Sequence, residues 1–120
     1  MEHPIDPPQP DTLRGRQLAA VLVVGKLIEL DLPEVCNWDI NRDGIWVQLA
    51  GDNDPVGALT KWAEFLCVTP HADGTPYEAP GGRFLNVRVV ATYRHVFVRA
   101  FTGIPVDEVP AEWLAEREAS

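Results

Sequence analysis

The sequence predicts an α+β domain: a four-stranded antiparallel sheet made of two hairpins, two helices on one of its faces, and a short C-terminal helix. Three observations lead there. Residues 83 to 102, RFLNVRVVATYRHVFVRAFT, hold no Gly, no Pro and no acidic side chain, and they alternate in two runs about Tyr93-Arg94-His95-Val96. A shorter alternating stretch, about 35–49, turns at Asn41-Arg42-Asp43-Gly44. Two segments with helix-start chemistry, about 12–30 and 55–67, each precede a hairpin.

The long hairpin fixes its own register. Pairing Thr92 with Phe97 and Val89 with Ala100 collects Leu85, Val87, Val89, Ala91, Val98 and Ala100 on one apolar face. A slip by one residue would mix the two faces. The first hairpin obeys the same rule: Ile40 opposite Ile45, Trp38 opposite Val47 and Cys36 opposite Leu49 are apolar, while Asn37, Asp39, Trp46 and Gln48 point the other way.

The remaining elements follow in order. Residues 1–10, with Pro at positions 4, 7, 8 and 10, form an extended or disordered arm. A single domain spans 11–107. Asp11 or Thr12 caps the first helix, whose middle, LAAVLVV, is apolar around nearly its whole circumference. Such a helix is buried on several sides or shared with a partner. Asp54-Pro55 opens the second helix, which carries Val56, Leu59, Trp62, Ala63 and Leu66 at helical spacing. Residues 68–82, rich in Pro and Gly, read as a loop with a short strand about Thr75 to Glu78. Gly103-Ile104-Pro105 should end the sheet, and 108–120 is a short acidic helix or tail.

At 120 residues the chain can bury a core without metal or disulfide staples. Its net charge of -8 disfavours direct nucleic-acid binding and binding to anionic membrane, both of which need a basic surface. The start, Met-Glu-His-Pro-Ile-Asp, lacks the basic and apolar regions of a signal peptide. The longest apolar run, Leu18 to Val24, is too short to span a bilayer, so the expected location is the cytoplasm with no membrane partner. Cys36 and Cys67 read as buried thiols rather than a bridge.

Candidate chemistry is sparse. Asp39-Ile40-Asn41-Arg42-Asp43-Gly44 matches the opening of a calcium loop, but Ala50 stands where that loop needs its bidentate carboxylate. A hairpin turn uses the same residues for backbone reasons. His71 and Asp73 sit in the Pro/Gly loop, and His95 at a hairpin tip. His and Cys show no zinc spacing, and Pro80-Gly81-Gly82 precedes a strand rather than a phosphate-binding helix. No catalytic residue, metal ligand or cofactor site is assigned.

The strongest candidate is a surface. The second faces of the two hairpins bring together Trp46, Phe84, Arg88, Phe97, Arg99 and Phe101, with Gln48 and Val90. An outward sheet face is ordinarily polar, whereas four aromatics and two arginines compose an interface core. The alternative is that Ile104, Val106, Val109, Trp113 and Leu114 fold back and cover it.

The segments Asp54-Pro55…Trp62-Ala63-Glu64-Phe65-Leu66 and Val89-Val90-Ala91-Thr92-Tyr93-Arg94-His95-Val96-Phe97-Val98 resemble small uncharacterised actinobacterial proteins, often encoded near plasmid- or phage-derived genes. In those, a Trp-Ala-Glu helix precedes a hairpin with a Thr-Tyr-Arg turn. The excess of Arg over Lys, with two Lys only, also suits a high-GC genome. The resemblance implies no activity and no site. The leading expectation is a non-enzymatic binding module that uses the aromatic–Arg face on a protein partner or a second copy. Its rivals are a small enzyme with a site in residues 68–82 and an acidic DNA mimic or anti-defence protein.

Because Asn41 and Asp43 are read as turn formers, calcium or magnesium should shift the thermal midpoint by no more than its ionic strength does. A saturable shift abolished by Asp43→Ala would contradict that reading.

Overall fold

The computed structural model describes residues 11–50 and 53–114. The arm at 1–10 and the end of the acidic tail lie outside the described residues. The α+β class holds, but the sheet is mixed and has six strands. Helix α1 (Leu13–Glu29) is followed by β1 (Val35–Asn41) and β2 (Gly44–Leu49), then by α2 (Pro55–Leu66). Short strands β3 (His71–Ala72) and β4 (Tyr77–Ala79) precede the long hairpin β5 (Gly82–Tyr93) and β6 (Val96–Pro105).

Local chemistry starts both helices as expected. Thr12 Oγ1 accepts the Gly15 N–H at 2.9 Å, and Asp54 Oδ1 accepts the Gly57 N–H at 2.9 Å. Helix α2 ends with Cys67 in the left-handed conformation, φ 60°, where glycine is the usual residue. The long hairpin keeps the expected register, Thr92 to Phe97 and Val89 to Ala100 included. Its tight turn is made by Arg94 and His95, both at positive φ.

Three expectations are corrected. The four-stranded antiparallel sheet is replaced by the order β1-β2-β6-β5-β3, with β4 also on β5, and β2 runs parallel to β6. Polarity explains the order. Strand β1 carries Asn37, Asp39 and Asn41 and sits at an edge, whereas Ile45, Val47, Leu49, Val98 and Ala100 are at most 2% exposed and lie inside. Parallel neighbours belong in such a buried position. Gly44 permits the approach: a Cβ there would lie 2.3 Å from the Phe97 carbonyl oxygen.

The second correction is at the end of β6. Within Gly103-Ile104-Pro105 the strand ends only at Pro105; Gly103 and Ile104 continue it, and Ile104 is fully buried and pairs with Leu85. Glycine stands at 103 because Tyr77 crosses it, and a Cβ would meet the tyrosine hydroxyl at 2.2 Å. The third concerns the cysteines. A bulge between Val35 and Asn37 gives Leu49 to Val35, not to Cys36, and turns Cys36 outward. Cys67 is exposed at its helix cap, and both thiols are free.

The core fills the space between one sheet face and the helices. Helix α1 packs on β1, β2 and β6 through Ala20, Val23 and Leu27. Helix α2 packs on β2, β5 and β6 through Leu59, Trp62 and Ala63. Trp62 meets Trp38 edge-on at 6.3 Å and donates its indole N–H to the Pro33 carbonyl at 3.4 Å. After a 3₁₀ turn at Val106–Glu108, Val109 and Trp113 bury themselves in this same core.

Val89 is fully buried, so Val89→Asp should cost about 3 kcal/mol or more, because an unpaired carboxylate loses its water. Thr92→Asp, at an exposed position of the same strand, should cost under about 1 kcal/mol in the same urea titration. Equal losses would reverse the face assignment.

Candidate functional site: the open sheet face

Alternation sends every second residue of the sheet away from the helices, and the strand order sets who meets whom. One row across the sheet reads Asp39, Trp46, Arg99, Val90; the next reads Asn37, Gln48, Phe101, Arg88, His71. Trp46 and Arg99 are therefore neighbours across the parallel pair. The Arg99 guanidinium carbon lies 4.7 Å from the centre of the indole ring, a cation–π contact. The Trp46 indole nitrogen is shielded and makes no hydrogen bond among the described residues. Trp46 thus serves this face as a flat π surface.

A polar cluster adjoins the stack. The Asp73 backbone N–H donates to the Asn86 carbonyl at 2.7 Å, which holds the residue beside β5. Its carboxylate then accepts the Asn86 side-chain amide at 3.1 Å, pairs with Arg88, and lies 3.8 Å from Arg99. Two guanidiniums share one carboxylate. Burial first, and the nearby Arg99 charge second, lower the Arg88 pKa from its ordinary value. Both arginines keep only about a third or less of their side-chain surface in water, at 31% and 27%.

Of the six surface residues expected from sequence, Trp46, Arg88, Arg99 and Phe101 share the middle of the face. Phe97 lies toward the hairpin turn, 37% exposed. Phe84 sits toward the other end, stacked on Tyr77 at 6.0 Å. Asn86, two residues before Arg88 on β5, lies on this face as well. The partnership of Asp73 with the arginines was not expected. Only the β3–β5 pairing, His71 opposite Arg88, brings it there, and a two-residue strand leaves almost no periodic signal. His71 and Asp73, read as a separate loop site, thus join the same surface.

The C-terminal segment does not cover this face as far as it is described. Trp113 lines a cavity of about 630 Å³ along α2, with Thr60, Glu64, Cys67 and Pro70, on the helix side of the sheet. That cavity includes neither His71 nor Asp73. Asn41, the candidate calcium residue, spends its side-chain oxygen on the Asp43 and Gly44 backbone N–H groups at 2.8 and 3.2 Å. Among the described residues no group of three His, Cys, Asp or Glu is placed to hold a metal ion, and no helix is long and apolar enough to cross a membrane. No protein-family model matches the chain, and neither a curated protein nor a solved structure matches it.

The Arg88–Asp73 contact is partly shielded, so a double-mutant cycle with Arg88→Met and Asp73→Asn should return a coupling of about 1 kcal/mol. Arg99→Met should instead perturb Trp46 fluorescence with little loss of stability. A coupling near zero would mean that the cluster is not formed in solution.

Proposed function

We propose that this protein is a non-enzymatic binding module, and that its open sheet face docks a protein partner presenting carboxylates beside apolar side chains. The observation that carries this reading is the position of the C-terminal segment. Val109 and Trp113 pack into the core on the helix side, which leaves the aromatic–Arg surface uncovered by the one segment read as its lid. A mixed patch of Trp46, Phe101 and Phe97 around two arginines has the composition of an interface centre. Arg88 and Arg99 repel one another across a single shared carboxylate. A partner carboxylate placed beside them relieves that repulsion and restores the hydrogen bonds that desolvation removes. The aromatic rings supply the apolar contact and define its limits.

Selection from a displayed random-peptide library, counter-selected on the Arg99→Ala variant, tests this directly. The enriched peptides should be acidic and apolar, and should shift NMR signals of Trp46, Arg88 and Phe101. They should lose at least about tenfold in affinity for Arg99→Ala, a protein that still melts near the parent temperature. Peptides that perturb only the helices, or no enrichment at all, would count against this surface.

A further inference from the structure

Helix α1 is apolar nearly all round, yet beyond its buried first turn at Gly15 the fold buries only one side of it. With about 3.6 residues per turn, Ala20, Val23 and Leu27 face the sheet, and Leu18, Val21, Leu22, Gly25 and Ile28 lie on the opposite side. Those side chains are bare: Leu18 is 41% exposed, Val21 53%, Leu22 65% and Ile28 61%. Scattered single apolar residues on a surface are ordinary, whereas a continuous stripe about three turns long marks an interaction site. Gly25 lies within the stripe. A Cβ added there would meet nothing within 4 Å, so no close approach inside the chain explains a residue that weakens a helix by about 1 kcal/mol relative to Ala.

The charges at the ends of the stripe select its occupant. Arg14 lies on the stripe side of the first helical turn, and Glu29 on the same side of the last. Glu29 keeps 71% of its side chain in water, with the Lys26 ammonium 3.8 Å away. Two such helices laid parallel set Arg14 against Arg14 and Glu29 against Glu29. Laid antiparallel about a point between Val21 and Leu22, they set Arg14 of each copy against Glu29 of the other. The same operation brings Leu18 opposite Gly25, where the missing side chain leaves room for it. Ile28 falls at the level of Gly15, which is already buried beside a cavity of about 280 Å³ lined by Leu18, Leu22, Val96 and Phe97. Charge and shape complement each other in the same arrangement, and a two-fold axis makes every contact twice.

We propose that the chain forms a two-fold homodimer in which α1 packs antiparallel on α1 of the second copy through Leu18, Val21, Leu22 and Ile28, with Arg14 paired to Glu29 across the axis. This surface lies on the helix side of the sheet and reaches the open face only at Phe97, so the dimer leaves Trp46, Arg88, Arg99 and Phe101 of both copies accessible. The inference does not depend on what those faces bind.

Sedimentation equilibrium of the full chain tests it. The wild type should show a concentration-dependent dimer. Val21→Glu sets two carboxylates at the axis and should raise the dissociation constant at least about a hundredfold, with an unchanged far-ultraviolet circular dichroism spectrum. Arg14→Glu and Glu29→Arg should each weaken the dimer about tenfold, and the double exchange should restore it to within about threefold of wild type. A wild type that stays monomeric at every concentration overturns the proposal. So does a dimer indifferent to Val21→Glu, or a double exchange that fails to restore. If deletion of residues 1–10 turns a monomer into an associating protein, that arm occupies the stripe and the proposal fails as well.

Discussion

The parallel pairing of Ile45 to Gln48 with Val98 to Phe101 is the contact on which the rest of the structure depends. Each hairpin is a local object, closed by its own turn and sorted by its own alternation. Neither buries enough surface alone. Joined through β2 and β6, they give one apolar floor wide enough for both helices, with the polar strand β1 at an edge. The join is tight because Gly44 lacks a side chain where the Phe97 carbonyl passes.

That pairing also creates the open face. Trp46 belongs to one hairpin and Arg99 to the other, and only the lateral contact of β2 with β6 stacks guanidinium on indole. The arginines cannot be hydrated freely at that position, and Asp73, carried in on the short strand β3, supplies the counter-charge. The result is a half-buried charge cluster ringed by aromatics. On the proposed reading, a protein partner completes its ionic contacts. The opposite side of the molecule adds a second surface, the outer stripe of α1, with its own charge signature.

What was legible in the sequence was whatever a short range decides. Asp11-Thr12 and Asp54 announced the helix starts, with Thr12 making the first cap, and alternation placed Val87, Val89, Val98 and Ala100 in the core with the right partners. The membership of the open face followed from the same alternation, which is why Trp46, Arg88, Arg99 and Phe101 were found. What the sequence concealed was long-range. Two hairpins can join along several edges, and the apolar pattern of β2 and β6 suits a parallel join as well as an antiparallel one. The bulge at Cys36 is a single-residue event that breaks period-two counting. Gly103 looked like a strand breaker because its reason, the ring of Tyr77, comes from 26 positions earlier in the chain. The nearly uniform apolarity of α1 pointed to burial on several sides or to a partner, and its outward side stays bare in the single chain.

The most direct test of this account is the pattern of nuclear Overhauser contacts across β2. Parallel pairing requires backbone contacts that advance together, Ile45 with Val98 through Gln48 with Phe101. The Arg99 side-chain protons should also be shifted upfield by the Trp46 ring, a shift lost in Trp46→Leu. Backbone contacts running in opposite directions, or between β2 and β5, would contradict the join and dissolve the shared face built on it.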